Sequence, residues 1–134
     1  MFPKQIRTDM TIYNNLDKEN GKWCSTQLSG VFWKGIKTRN TDTSRMADTH
    51  SITVLIPYDV ETEKVYKKPK QWKQSPKGAW TIQTGDIVVK GFVEDIICSQ
   101  KDLKEKYDEV YVVKGAAFNE FGSKELWHWE VEAV

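Results

Sequence analysis

Residues that build metal or cofactor sites are scarce in this sequence. It holds two cysteines, Cys24 and Cys98, and two histidines, His50 and His128, and no two of them form a C-x-x-C or H-x₃₋₅-H pair. A zinc site would have to assemble these four separate positions in the fold, and we treat it as the minor alternative. We expect both cysteines to be reduced, small side chains in or near the core, with no metal and no cofactor bound.

Signatures of catalysis are also missing. The sequence has no G-x-G-x-x-G, Walker A, G-x-S-x-G or H-E-x-x-H motif. His128 and Glu130 share one face of a predicted strand, but such neighbours are usually only solvated side chains rather than an acid–base pair. The acidic residues Asp59, Glu61 and Glu63 lack the pattern of a calcium loop. We therefore expect no catalytic residue and no enzymatic activity.

Long apolar runs are absent as well. No stretch approaches the roughly 18–20 apolar residues of a membrane-spanning helix, and the opening "MFPKQIRTDM" lacks the apolar core of a secretory signal. The composition of 39% hydrophobic and 29% charged residues, with a net charge of +1, is typical of a globular chain and indicates no polyanionic partner for the chain as a whole. We expect one domain over residues 1–134, made in the cytoplasm and not bound to a membrane.

Aromatic and β-branched residues dominate what is present. The last run, 126–133, alternates cleanly and places Trp127, Trp129 and Val131 on one face. Eight runs have the composition of short strands, separated by turn signals such as Asn20-Gly21: 9–14, 21–28, 30–38, 50–57, 79–83, 86–93, 110–118 and 126–133. The pattern predicts an all-β fold, a small β-barrel or sandwich of about eight short strands, with one short helix at 102–108 capped by Asp102.

The alternation also predicts the core of this barrel. We expect the apolar face of the last strand to pack inside with alternating residues of two other runs, so that the interior contains Ile52, Val54, Ile56, Ile87, Val89, Trp127, Trp129 and Val131.

Two long polar segments interrupt the strands. The first, 38–51, contains no Gly or Pro and exceeds the two to five residues of a simple hairpin connection. Its charges have both signs, and Met46 and Ala47 are its apolar residues. Its candidate functional residues are Arg39, Asp42, Arg45, Met46 and Asp48. A surface loop without a role is the alternative.

The second segment, 58–79, is acidic at its start and basic afterwards. Tyr66 and Trp72 alternate with lysines, as in proteins that bind single-stranded nucleic acid on a small barrel of the OB type. The alternatives are a solvated loop whose two aromatic rings pack onto the barrel, and a surface that contacts a partner through complementary charges. The candidate contact residues are Asp59, Glu61, Glu63, Lys67, Lys68, Lys70 and Trp72.

Five pieces, in this order and spacing, resemble a group of small proteins encoded among the head–tail joining genes of tailed phages of Gram-positive hosts. They are "TIYN" (11–14), "SITVLIPY" (51–58), "YKKPKQW" (66–72), "GDIVVKG" (85–91) and "NEFGSKELWHWEV" (119–131). The resemblance implies a component of the virion neck. Adaptors of the neck are mostly helical and tail terminators are α/β, whereas stopper (head-closure) proteins are similar to the fold predicted here.

This resemblance implies a non-enzymatic role in head completion. It implies a homo-oligomeric ring of roughly six or twelve copies, located between the adaptor or portal side of the head and the tail terminator or tail tube. The packaged double-stranded DNA lies in its channel, which segment 38–51 would help to close. An OB-like nucleic-acid-binding phage protein is the alternative function.

Overall fold

The computed structural model describes residues 7–17, 19–39 and 48–134. Within them the chain forms eight strands, two short α-helices and one 3₁₀ turn at Lys124–Leu126. The strands are β1 (Arg7–Asp17), β2 (Lys22–Arg39), β3 (Asp48–Pro57), β4 (Val65–Tyr66), β5 (Ala79–Trp80), β6 (Ile87–Lys90), β7 (Val110–Asn119) and β8 (His128–Ala133), and the helices are α1 (Pro69–Gln74) and α2 (Gln100–Lys104). The predicted all-β class and the number of about eight strands are confirmed, with two helices instead of one. The predicted runs 21–28 and 30–38 are, however, one continuous strand, β2, and β4 lies where no strand was expected.

Six antiparallel strands close into a barrel in the order β1-β2-β3-β8-β7-β6. Two three-stranded meanders, β1–β3 and β6–β8, supply these strands, and β6 pairs back onto β1 to close the ring. The connection between the meanders carries β4, α1 and β5, and β4 and β5 form a separate parallel pair. Closure joins the first and last strands of the sheet and so reduces the exposed strand edges.

The barrel interior is filled as the alternation of β3 and β8 predicts. Val54 pairs with Val131 and Ile56 pairs with Trp129 across the two strands. These four side chains and Ile52 are buried in one core cluster, so this part of the predicted interior is confirmed.

Ile87 and Val89 were predicted to lie inside the barrel, and this was wrong. They belong to a second cluster on the outer face, with Tyr13, Val93, Ile97, Leu103 and Val110, while Val88 faces the interior. The reason is that residues 91–107 fold over β1 and β6, so β6 is buried on both faces. A strand buried on both sides gives no polar alternation from which the inner face could be identified.

Trp127 was also predicted inside and is not part of the core. It precedes β8 and is half-buried at the end of the barrel, where its ring lies 5.8 Å from that of Tyr58 and 6.0 Å from that of Phe118. β8 begins only at His128, so the regular alternation of a strand does not extend back to position 127.

The predicted helix 102–108 begins two residues earlier and ends at Lys104. Ser99 is the N-cap residue, and Asp102 occupies the third helical position instead of the cap. The Asp102 carboxylate accepts hydrogen bonds from the backbone N–H groups of Cys98 (2.9 Å) and Ser99 (3.3 Å), which would otherwise lack partners at the helix start. The helix positions Leu103 in the outer cluster.

Both cysteines are free thiols, as expected. Cys24 is half-buried, but Cys98 is exposed and so does not lie in the core. Among the helices that the structure describes, none is long and apolar enough to cross a membrane.

Candidate functional site

The hairpin of β2 and β3 extends beyond the strand pairs that the described residues form with β1 and β8. Within these residues, which begin at Arg7, β1 pairs with β2 as far as Phe32, and β8 pairs with β3 from Ile52 onward. Beyond these points the two strands pair with each other alone in the described part of the chain, through Ile36↔Ser51, Lys37↔His50, Thr38↔Thr49 and Arg39↔Asp48. Four such residues span about 13 Å. We call residues 36–39 and 48–51 the arm.

The arm corrects the predicted boundaries of the first polar segment. The strands occupy positions expected to be loop, so that only residues 40–47 separate them. Thr38 and Thr49 are β-branched and favour this extended pairing although the segment is polar. Arg39 and Asp48 form the last backbone pair of the arm. The other candidate residues of this segment, Asp42, Arg45 and Met46, lie outside the described residues.

The second polar segment is a folded connection and not a long loop. β4 pairs with β5, and α1 begins with Pro69, a residue suited to a first helical position because it has no N–H to satisfy. Trp72 is fully buried, and its Nε1–H donates to the carbonyl oxygen of Ala79 at 3.1 Å. Its predicted role in contacting a partner is therefore wrong, since no part of the ring reaches the surface.

Tyr66 also turns inward and helps to close one end of the barrel. Its ring lies 5.1 Å from that of Trp80 and 4.7 Å from that of Trp129, and these two tryptophans are 5.3 Å apart. Trp72 is buried and cannot stack on bases, and the half-buried Tyr66 ring already packs against two tryptophans. This packing counts against single-strand binding at this segment.

The charges of the segment remain outside. Asp59, Glu61 and Glu63 are exposed, and backbone hydrogen bonds between Glu61 and Ser29 of 2.9 and 3.2 Å hold the acidic stretch beside β2. Lys68 and Lys70 are exposed on the other half, and half-buried Lys67 donates to a backbone carbonyl. Within the described ranges none of these side chains has a salt-bridge partner, so all remain available for a partner's charges.

An exposed apolar surface lies at the same end of the barrel as Trp127. It combines the exposed side chains Tyr58 (43%), Phe118 (39%), Phe121 (84%) and Leu126 (51%) with half-buried Trp127. We call these five residues the aromatic patch. Lys124 Nζ lies 4.9 Å above the Tyr58 ring. Sequence reasoning missed the patch, although Phe121 and Leu126 stand out as apolar residues within turn-forming sequence.

His128 and Glu130 do face the same way, but both are held by Asn119. The Asn119 amide lies 3.2 Å from His128 Nε2 and donates to Glu130 Oε2 at 3.2 Å. The second ring nitrogen, Nδ1, lies 2.9 Å from the Leu126 carbonyl oxygen and must carry the proton, because that oxygen only accepts. Both nitrogens are thus used in fixing the start of β8. No group of three potential metal ligands occurs among the described residues.

Asp86 is the buried carboxylate that sequence reasoning overlooked. It accepts hydrogen bonds from the Asn14 side chain (2.8 Å) and from the backbone N–H groups of Asn15 (3.1 Å) and Gln83 (3.0 Å). Burial raises the pKa of Asp86 to about 6, although these hydrogen bonds oppose the rise. The Asn14 amide also donates to the Thr81 carbonyl. The network ties the connection before β6 to β1 and is structural.

Comparison with known proteins identifies a family that the chain matches. A family model described as "Family of unknown function (DUF6751)" matches residues 5–134. No curated protein matches the chain, and no solved structure matches it. Because the match covers almost the whole sequence, the chain belongs to the DUF6751 family.

Proposed function

We propose that this protein is a structural head–tail connector of a tailed phage, of the stopper (head-closure) type. Copies form a ring in the virion neck, between the adaptor or portal side of the head and the tail terminator or tail tube, and the ring helps to retain packaged double-stranded DNA. The protein is made in the host cytoplasm and acts without catalysis or a cofactor. The sequence resemblance suggests the neck, and the arm on a closed barrel is the observation that carries the proposal.

The arm suits a channel-closing role because of its reach. It adds about 13 Å of two-stranded backbone to the barrel before residues 40–47 begin. In a ring, equivalent arms directed at the axis bring identical segments together. Arg39, Asp42, Arg45 and Asp48 alternate in sign, so neighbouring copies pair basic with acidic positions. Each exposed pair contributes about 0–1 kcal/mol, which makes closure reversible when the tail signals release.

The barrel surface suits contacts with neighbouring subunits. The aromatic patch exposes the residue types that protein interfaces favour. The acidic residues 59–63 and the lysines 67–70 carry opposite charges that form no salt bridge with another described residue, and such charges select and orient a partner. A ring requires two different contact surfaces on each copy.

The experiment that tests the proposal replaces residues 40–47 with Asn-Gly in the phage that encodes the protein. A two-residue Asn-Gly turn preserves the backbone pair Arg39↔Asp48, so the barrel and arm remain intact. We expect shortened rings to join the neck and filled heads without tails to lose their DNA. Heads that keep their DNA would rule out closure by this segment.

Particle composition separates the connector from the alternative. Purified virions should contain the protein at roughly six or twelve copies. A protein that is missing from virions and shifts single-stranded DNA in a salt-dependent manner would instead support the nucleic-acid-binding function.

A further inference from the structure

One edge of β2 is left without a strand. Backbone groups of alternate residues in an antiparallel pair point to opposite sides. The N–H and C=O of Ser29 bond to Glu61, on the side away from β1. The backbone groups of Gln27 and Ser25 therefore point to that side too, but β3 joins β2 only from Phe32 onward. In the described part of the chain no strand covers this edge before Ser29.

A groove of about 460 Å³ runs along this edge. Ser25 and Gln27 form its floor, the stretch 61–64 forms one wall, and the stretch 92–94 forms the other. Phe92 is 52% exposed in the second wall. Thr26 also lines the groove, and its buried Oγ1 has no hydrogen-bond partner. The site thus combines the open backbone groups of Gln27 and the N–H of Ser25 with an exposed apolar ring.

The walls of the groove are acidic. Glu61, Glu63 and Glu94 are exposed, and none forms a salt bridge with another described residue. Lys64 is the lysine that lines the groove, and its Nζ donates to the Ser25 carbonyl oxygen at 2.5 Å. A lysine placed over an open edge protects it from unwanted pairing. This contact also shows that the groove accepts an ammonium group among its carboxylates.

We propose that this groove binds an extended, basic segment of a partner protein, which adds as a strand to the edge of β2. The backbone of the segment bonds to Gln27 and to the N–H of Ser25, and it displaces Lys64 from the Ser25 carbonyl. Backbone bonds supply the affinity in strand addition, and alternate side chains supply the specificity. Here the specificity is for lysine or arginine, because three carboxylates line the walls. This site is independent of the proposed neck function.

The test measures binding of a fluorescent peptide of about seven residues that alternates lysine and valine. The first control is the same peptide with N-methyl groups at alternate backbone nitrogens, which keeps the charge but removes the strand-forming donors. The second control alternates glutamate and valine. We expect the lysine peptide to bind roughly tenfold more tightly than either control. Equal binding of the N-methylated peptide would show simple charge attraction and overturn strand addition.

Protein variants locate the site. Gln27→Pro removes an N–H that the β1 pairing does not use, and we expect it to weaken binding roughly tenfold. Lys64→Ala removes the donor that competes for the Ser25 carbonyl, so this variant should bind the peptide more tightly. The substitution also removes one positive charge, which would by itself favour a basic peptide. Lys104→Ala, an exposed lysine elsewhere, controls for that charge. Equal affinities for Lys64→Ala and Lys104→Ala would overturn the assignment, as would self-association of the wild-type chain through this edge without peptide binding.

Discussion

The Asn14 side-chain amide donates a 2.8 Å hydrogen bond to the carboxylate of Asp86, and both side chains are fully buried. The two residues are 72 positions apart, so the bond joins β1 to the connection that follows β5. Because this carboxylate has left water, its ionisation is coupled to folding.

Asp86 should make stability fall as the pH rises from about 4 to about 6. Burial raises its pKa from 3.8 to about 6 in the folded chain. Between these values the unfolded chain releases the proton first, which favours unfolding, and the full cost is about 3 kcal/mol above pH 6. In Asp86→Asn the side chain does not titrate. The free energy of unfolding of this variant minus that of the wild type, measured in urea, should therefore increase by up to about 3 kcal/mol between pH 4 and pH 7.

Other carboxylates do not obscure this comparison. The Lys106 and Tyr107 hydrogen bonds lower the pKa of Asp95, and that effect is shared by the wild type and the variant. If the stabilities of the two proteins changed in parallel with pH, the pKa of Asp86 would not be raised in the folded chain.

Trp129→Ala should destabilise the barrel strongly. The side chain is only 7% exposed and its ring packs against Tyr66, Trp80 and Phe118. Removal of such a ring leaves a cavity and should cost about 3–5 kcal/mol, measured by chemical denaturation. Leu126→Ala, at a residue 51% exposed, is the control and should change stability by no more than about 0.5 kcal/mol. An unchanged melting temperature for Trp129→Ala would contradict the core assignment.

Gly21→Ala should cost more than Gly78→Ala, although both glycines have a similar positive φ of 63° and 72°. A Cβ at position 21 would lie 2.8 Å from the backbone oxygen of Cys98, whereas one at position 78 meets nothing within 4 Å. Left-handed strain of about 1–2 kcal/mol is common to both. Thermal unfolding should show an additional loss of about 1–3 kcal/mol for Gly21→Ala. Equal losses of stability would mean that residues 91–107, which include Cys98, move away from position 21 without a cost in free energy.

Charge reversal in the lysine stretch should weaken assembly. Replacing three lysines with glutamate, at Lys67, Lys68 and Lys70, converts a basic surface into an acidic one. The new surface would repel the acidic groups that we propose on the partner. The effect should be larger at low salt, because exposed charges are screened. The control makes the same charge change at exposed lysines outside the segment: Lys22, Lys104 and Lys114. Incorporation into virions is the measurement, and equal incorporation of both triple variants would exclude this surface from the contact.

The sequence by itself predicted the features that local pattern controls. Alternation in β8 identified Trp129 and Val131 as interior residues, and Asn20-Gly21 marked the turn between β1 and β2. The change from acidic to basic residues within 58–79 was equally visible in the sequence, and most of the charged side chains of this segment are exposed in the fold. The arm was not, because polar residues give no sign of pairing that leaves the barrel.

Only the tertiary structure decided which face of β6 is the inner one and where Trp72 lies. Ile87 and Val89 alternate correctly, but residues 91–107 supply them with a second apolar environment outside the barrel. The sequence left open whether the aromatic rings in 58–79 pack onto the barrel or stack on bases, and the fold decides for packing, because α1 turns Trp72 inward to Ala79. The bond between Asn14 and Asp86 and the open edge of β2 also depend on which distant segments meet. Local periodicity fixes which residues share a face, and long-range packing fixes what that face contacts.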